Sequence, residues 1–128
     1  MKILVVDDHA AFRRSLSDFL RSQAGVEVVG EATNGKEAIE QTARLCPDLV
    51  LMDVSMPTMS GYDATRIIKA QNPATRVVIL SSHSGEVYRS AARESKADGY
   101  IEKHTVKSGL SYLLENSGIT ASSVRIAI

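Results

Sequence analysis

The stretch Asp48–Gly61, with the sequence DLVLMDVSMPTMSG, decides the fold of this chain. Its four consecutive apolar residues, Leu49–Met52, predict a strand that is buried on both faces, as in a parallel sheet. Asp53 follows at the carboxyl end of that strand, where open α/β sheets bind their ligands. On this stretch alone, an aspartate that merely ends a strand or caps a turn is an equally good interpretation.

Short apolar runs of the same kind recur along the chain and alternate with segments of helical periodicity. Strands are predicted at Ile3–Val6, Val26–Gly30, Leu49–Met52, Val77–Leu80 and Tyr100–Ile101. Helices are predicted to follow them, beginning at about His9, Asn34, Ser60, Gly85 and Val106. Five alternations of strand and helix predict a doubly wound (βα)5 fold, in which one parallel sheet carries helices on both faces.

The spacing of apolar residues predicts which face of each helix points inward. The second helix is predicted to bury Ala38 and Ala43, and the fourth helix Val87 and Tyr88. Glu27 lies among the valines of the second strand. This strand is therefore predicted to be less buried than the others and to lie at an edge of the sheet.

Composition excludes several classes of function. The 128 residues suffice for one domain with a sizeable core, and the zero net charge argues against a basic surface for nucleic acid or an anionic membrane. A single cysteine excludes an internal disulfide and is consistent with a reducing cytosol. The start MKILVVDDH is too short an apolar run for a signal peptide, and no run could span a bilayer. A cytoplasmic protein is expected.

Polar residues follow the predicted strands at one edge of the sheet: Asp7 and Asp8, Asp53, Ser81 and Lys103. If the first, third and fourth strands are neighbours, three carboxylates meet in one cleft. Two like charges about 4 Å apart repel by roughly 4 kcal/mol at an effective dielectric constant of 20, so the cluster requires a cation, a proton or a lysine. Oxygen ligands favour Mg²⁺, while a serine hydroxyl and a lysine can bind a phosphoryl group. The predicted chemistry is phosphoryl transfer to Asp53.

Four motifs, in their order and spacing, resemble the receiver domain of two-component response regulators. They are VVDDH at 5–9, DVSMPTMSG at 53–61, VVILS at 77–81 and GYIEK at 99–103. The resemblance extends from Met1 to about Glu115 and implies a flavodoxin-like sheet with strand order 2-1-3-4-5. That order is known for the family, in which a chemotaxis receiver is a familiar example, and is not deduced from this chain. A receiver domain is predicted at 1–116, followed at 117–128 by a C-terminal tail or the start of a linker.

The resemblance also assigns a metal site. It implies that Asp53 is the phosphorylated residue and that Asp8 is a direct ligand of Mg²⁺ or Mn²⁺. Asp7 would contact the ion through water, and the backbone carbonyl of Ser55 would complete the protein's share of the ligands.

A second group of residues is implied to bind the phosphoryl group and respond to it. Lys103 would pair with the phosphoryl group, Ser81 would move to hydrogen-bond it, and Tyr100 would change rotamer on activation. Asp53, Lys103 and Ser81 would thus carry the reaction. The face formed by the fourth helix, fifth strand and fifth helix would bind partners and is a possible homodimer interface.

Two departures from the family pattern concern the same region. His104 follows Lys103, where many receivers have a proline. Ser55 and His83 occupy the positions that tune the lifetime of the phosphate in this family, and their combination leaves that lifetime open. His9, His83 and His104 show no metal-ligand spacing and are predicted to be surface histidines.

The leading interpretation is a switch that accepts its phosphoryl group from a sensor histidine kinase or a phosphotransfer protein. It would catalyse only its own phosphorylation and slow dephosphorylation, and so would not be an enzyme. VDDH followed by a helix with Phe12 and Arg13 resembles receivers fused to helix-turn-helix domains that control transcription. The chain shows no basic recognition helix, so direct binding of nucleic acid or membrane by this segment is not expected. A stand-alone receiver and one excised from a longer regulator both remain open.

Two other classes of function fit less well. A Mg²⁺-dependent phosphohydrolase with an aspartyl-phosphate intermediate typically carries D-x-D after its first strand, whereas here the two aspartates are adjacent and no cap insertion is present. A degenerate receiver could act as a passive binding module. The complete set of Asp7, Asp8, Asp53, Ser81 and Lys103 argues against that interpretation.

Overall fold

The structure, a computed structural model, describes residues 1–115, along which strands and helices alternate. The elements are β1 Lys2–Val6, α1 Ala10–Arg21, β2 Glu27–Ala32, α2 Gly35–Leu45, β3 Leu49–Asp53, α3 Gly61–Gln71, β4 Arg76–Ser81, α4 Glu86–Glu94, β5 Gly99–Glu102 and α5 Val106–Glu115, with a 3₁₀ turn at Lys103–Thr105. Within these residues, no helix combines the length and apolarity needed to cross a bilayer. The predicted tail or linker at 117–128 lies outside the described residues.

The sheet has its five strands in the order β2-β1-β3-β4-β5, and every neighbouring pair is parallel. This confirms the doubly wound α/β architecture predicted from the alternating pattern and the strand order implied by the family resemblance. The order also confirms the edge position of β2, and its residues are mostly half-buried, as predicted, whereas every residue of β3 is buried.

Alternate side chains of the central strands point to opposite faces of the sheet and form two apolar clusters. One cluster packs the sheet against α1 and α5, through Ile3, Val5, Leu16, Leu20, Leu49, Leu51, Leu110 and Leu113. The other packs it against α2, α3 and α4, through Leu4, Val6, Ala38, Val50, Met52, Ala64, Ile68 and Ala92. Because both faces are covered, the central strands are apolar throughout, and the first polar residues occur where the strands end.

The register of the sheet aligns these polar strand ends. Val6 pairs with Met52, so that Asp7 and Asp53 follow at the same level of neighbouring strands. Asp53 in turn pairs with Leu80, one residue before Ser81. The carboxyl edge therefore brings the predicted site residues together.

Two helix positions predicted to point inward lie in solvent instead. Ala43 in α2 is exposed, and Val87 in α4 is 77% exposed, whereas their neighbours Ala38 and Ala92 are buried. Helical spacing marks an apolar stripe but does not fix how much of its width the sheet covers. In both helices the buried part of the stripe is narrower than predicted.

Candidate functional site

The centre of the site is a lysine held between two buried carboxylates. Lys103 follows β5, and its Nζ lies 2.8 Å from Oδ2 of Asp7 and 2.9 Å from Oδ1 of Asp53. Asp7 is fully buried and Asp53 is 3% exposed. The structure thus brings together three of the residues predicted to form the site.

The two oxygens of Asp53 differ sharply in their surroundings. Oδ1 is paired with Lys103, whereas Oδ2 is buried and has no hydrogen-bond partner among residues 1–115. Burial raises the pKa of the Asp53 carboxyl and the nearby Asp7 carboxylate adds to that rise, although the hydrogen bond from Lys103 opposes it. The pKa of Lys103 is also raised: burial alone would lower it, but its hydrogen bonds to Asp7 and Asp53 outweigh that effect.

Asp8 and His9 lie on the open side of this centre. Asp8 Oδ1 is buried without a hydrogen-bond partner in the described part of the chain, and Nδ1 of His9 lies 3.1 Å from it. Ligand atoms of Asp7, Asp8, His9 and Asp53 all lie within 4.8 Å of one another. Buried carboxylate oxygens that accept no hydrogen bond, in such a group, match the needs of a hard divalent cation, so these residues fit the predicted Mg²⁺ site.

The loop after β3 is shaped by a glycine. A Cβ atom on Gly61 would lie 2.0 Å from the backbone oxygen of Asp53, and the amide of Gly61 donates to the carbonyl of Val54 at 2.9 Å. The chain therefore folds back directly over the backbone of Asp53 and leads into α3, whose first turn is capped by Ser60. Ser55 is exposed in this loop, and the role of its carbonyl as a metal ligand stays a prediction.

The two predicted switch residues meet at the loop after β4. Ser81 is buried, and its hydroxyl accepts a hydrogen bond of 3.0 Å from the amide of His83. Tyr100 is also buried, and its hydroxyl donates to the carbonyl of His83. The imidazole of His83 stacks on the ring of Tyr88 in α4, with 4.6 Å between their centroids. His83 thus contacts both predicted switch residues, a link that the sequence did not reveal.

Helix α1 supplies two further residues that the sequence did not assign to the site. Nζ of Lys103 lies 4.6 Å from the centroid of the Phe12 ring. Arg13 donates from Nη1 to the carbonyl of Asp7 at 2.9 Å and pairs through Nε with Glu31. The sequence did contain a signal for these contacts, since Phe12 and Arg13 lie about one helical turn after the VDDH motif. Residues three or four positions apart on a helix share one side, so both side chains could have been expected to lie near Asp7 and Asp8.

The fold and site together define a class of protein: a doubly wound α/β domain with a buried aspartate, a lysine and a group of carboxylates able to hold a cation at the carboxyl edge of its sheet. The model of the response regulator receiver domain family matches residues 3–115. The chain belongs to this family and is a receiver domain of two-component signalling.

Relatives and solved structures agree with that assignment. Response regulator protein VraR from Staphylococcus saprophyticus is 44% identical over 112 residues, which are 86% of this chain and 53% of that protein. A two-component response regulator of the LuxR family from Aurantimonas has a TM-score of 0.89 at 30% identity, covering 98% of this chain and 88% of that one. The response regulator domain of Thermotoga maritima CheB has a TM-score of 0.81 at 32% identity, covering 94% and 96%. The chain therefore spans only about half, 53%, of the length of VraR.

Proposed function

We propose that this receiver accepts a phosphoryl group on Asp53 from the phosphohistidine of a sensor kinase or a phosphotransfer protein, in a reaction that depends on Mg²⁺ or Mn²⁺. The observation that carries the proposal is the asymmetry of the Asp53 carboxylate. One oxygen is fixed by Lys103, the other is buried and unpartnered in the described residues, and the carboxyl group as a whole lies beside those of Asp7 and Asp8.

The proposed transfer uses Asp53 Oδ2 as the nucleophile. It forms a bond to phosphorus while the bond from phosphorus to the donor nitrogen breaks, and the electron pair of that bond stays on the donor imidazole. Lys103 fixes the orientation of the attacking carboxylate and is placed to offset the negative charge of the phosphoryl oxygens. Held by Asp8, Asp53 and the carbonyl of Ser55, with Asp7 acting through water, the divalent ion would neutralise the charge on those oxygens.

A phosphoryl donor could reach Asp53 through an open cleft beside it. The cleft is lined by His9, Ala11, Phe12, Ser82, Lys103 and His104. It exposes Lys103 from the side of α1, which leaves room for a donor residue on another protein. Its histidines, His9 and His104, are about 70% exposed, and no segment of residues 1–115 covers the cleft to enclose a small substrate for turnover.

The signal would leave the site through Ser81 and Tyr100. In the proposed switch, the hydrogen bond from the His83 amide to the Ser81 hydroxyl breaks, and the hydroxyl donates a hydrogen bond to the phosphoryl group instead. Because His83 also accepts from Tyr100 and stacks on Tyr88, this change would alter the start of α4. Shifting a switch from 1:99 to 99:1 requires about 5.5 kcal/mol, a size that charge-assisted hydrogen bonds together with a metal ion can approach.

The proposed output is control of a partner or a further domain, in the cytoplasm and in the regulation of transcription. The face of α4, β5 and α5 would bind the partner or a second copy of the chain, and Val87 is its most exposed large apolar residue within 1–115. Catalysis by the domain would be limited to its own phosphorylation and slow dephosphorylation.

Labelling by a small phosphodonor tests the proposal directly. Acetyl phosphate with Mg²⁺ should phosphorylate the wild-type protein once, and Asp53→Asn should reduce the incorporated phosphate to background because the nucleophilic oxygen is lost. Intact-mass spectrometry measures the phosphate, and omission of Mg²⁺ should abolish it.

Asp63→Asn is the matched control, because Asp63 is exposed in the first turn of α3 and its carboxylate pairs with Arg66 of the same helix. It should label like the wild type. Undiminished labelling of Asp53→Asn would show that another residue is the acceptor.

A further inference from the structure

The imidazole of His9 is folded over the acidic group of the site. His9 lies at the N-cap position of α1, and its backbone amide donates to Oδ1 of Asp7 at 2.8 Å. This bond holds the backbone so that Nδ1 lies 3.1 Å from Oδ1 of Asp8 and 3.3 Å from Oδ1 of Asp7. The ring is 70% exposed on its outer side, so one nitrogen faces the carboxylates while the rest of the ring contacts solvent.

The spacing of these atoms suits adjacent ligands of one metal ion. Nitrogen and oxygen ligands bind Zn²⁺ and similar ions at about 2.0–2.2 Å, which places neighbouring ligands about 3.0–3.5 Å apart in octahedral or tetrahedral geometry. The distance of 3.1 Å from Nδ1 to Oδ1 of Asp8, the proposed direct ligand, matches that spacing. An independent sign of a missing ligand is Oδ2 of Asp53, which belongs to a side chain only 4% exposed and lacks a hydrogen-bond partner in residues 1–115.

We infer that His9 is a nitrogen ligand of the divalent ion in this pocket and shifts its preference from Mg²⁺ towards Mn²⁺, Co²⁺ and Zn²⁺. The inference rests on the proposed function in one respect, that the pocket binds a divalent cation. Mg²⁺ takes oxygen ligands and keeps several waters, so an imidazole adds little to its binding. Imidazole is a good ligand for the later transition ions, whose affinities rise from Mn²⁺ through Co²⁺.

Spectroscopy on the unmodified protein tests whether the nitrogen is bound. Electron spin-echo modulation of the Mn²⁺ complex should show coupling to ¹⁴N, replaced by ¹⁵N coupling when the protein is made with ¹⁵N-histidine. The coupling should be absent from His9→Asn. A wild-type Mn²⁺ complex without histidine nitrogen coupling would overturn the inference, whatever the stability of the variants.

Affinity measurements test the change of preference. His9→Asn should raise the Kd for Co²⁺ by about tenfold or more, since even the loss of an outer-shell partner of a metal ligand costs 10–100-fold. The same substitution should leave the Kd for Mg²⁺ nearly unchanged, measured by titration calorimetry under identical conditions. An equal loss for both ions would show that His9 only supports the backbone and would overturn the inference.

His104→Asn provides the matched control, because His104 is equally exposed, at 69%, and lines the same cleft but pairs with Glu102 instead. It should retain both the nitrogen coupling and the wild-type affinities. Failure of the two proposals is distinguishable. Mg²⁺-dependent labelling of Asp53 without nitrogen coupling would overturn this inference alone, and a protein that binds no divalent ion would overturn both.

Discussion

Two lysines, Lys69 and Lys103, connect strand ends at opposite edges of the sheet. They differ in whether the acceptors around each ammonium all have a donor. At the amino edge, Lys69 donates from Nζ to the carbonyls of Thr75 and Pro73 and to Oδ2 of Asp98 at 3.0 Å. The same oxygen of Asp98 accepts a hydrogen bond of 2.8 Å from the backbone amide of Val77. The ammonium thus has three acceptors, and the network packs α3 against the starts of β4 and β5.

At the carboxyl edge, Lys103 is buried to the same degree and forms ion pairs of similar length, but it faces an excess of acceptors. It holds one oxygen each of Asp7 and Asp53, while buried oxygens of Asp8 and Asp53 lack hydrogen-bond partners in the described residues. An unsatisfied buried polar group costs stability and persists where a ligand will satisfy it. The number of acceptors left without a donor, rather than the ion-pair distance, therefore distinguishes the structural clamp around Lys69 from the candidate binding site around Lys103.

The largest expected effect on stability is that of a divalent ion on the carboxyl edge. Mg²⁺ at 100 times its Kd should raise the free energy of unfolding of the wild type by about 2.7 kcal/mol, because it binds the folded state alone. Urea denaturation with and without Mg²⁺ measures the gain. Asp53→Asn should lose most of it, and a full gain in that variant would place the ion elsewhere.

A smaller effect is expected at the amino edge. Lys69→Met should lower the free energy of unfolding by about 2 kcal/mol, since it leaves the carbonyls of Thr75 and Pro73 and the carboxylate of Asp98 without their cation. The loss should be the same with and without Mg²⁺ in urea denaturation. Lys36→Met, at an exposed position of α2, should change stability by no more than about 0.5 kcal/mol. A loss of stability that depended on Mg²⁺ would contradict this expectation and show that the two edges of the sheet are energetically coupled.

The smallest expected effect has the opposite sign. Without metal, Asp53→Asn should raise the free energy of unfolding by about 1 kcal/mol at neutral pH, because it removes one of three crowded carboxylates. The folded-state pKa of Asp53 lies above its ordinary value of 3.8, mainly through burial. The folded wild type therefore binds a proton more tightly than the unfolded chain and loses stability as pH rises from about 4 through that folded-state pKa.

The gain from Asp53→Asn should accordingly be small near pH 4 and complete at neutral pH, as measured by urea denaturation at both values. Glu40→Gln, at an exposed position of α2, should show neither the gain nor its pH dependence. A variant less stable than the wild type at pH 7 would show that the hydrogen bond from Lys103 outweighs the crowding.

The sequence predicted the parts of the molecule that depend on apolar runs and strand ends. The five strands, the edge position of β2 and the convergence of Asp7, Asp53 and Lys103 follow from these patterns and from the family motifs. Contacts made by long side chains were not predictable, because spacing along the chain does not fix torsion angles. The reach of His9 over Asp8 is one such contact.

The packing of individual helix faces also could not be predicted from the sequence. Val87 has the right periodicity for burial but lies in solvent, because α4 packs against the core through Ala92 and Tyr88 instead. The clamp around Lys69 was missed for a different reason. Its acceptors are mostly backbone carbonyls, which carry no residue-specific signal.

The pairing of Lys103 with Asp7 spans 96 positions of the chain and has a consequence for synthesis on the ribosome. A nascent chain that ends before residue 103 can already pair β1 with β3, which brings Asp7 and Asp53 together without their ammonium. The two carboxylates then repel each other in the growing chain. The ammonium that offsets this repulsion becomes available only once the segment after β5 has emerged, so the ion pair of Asp7 with Lys103 is among the last contacts that the growing chain can form.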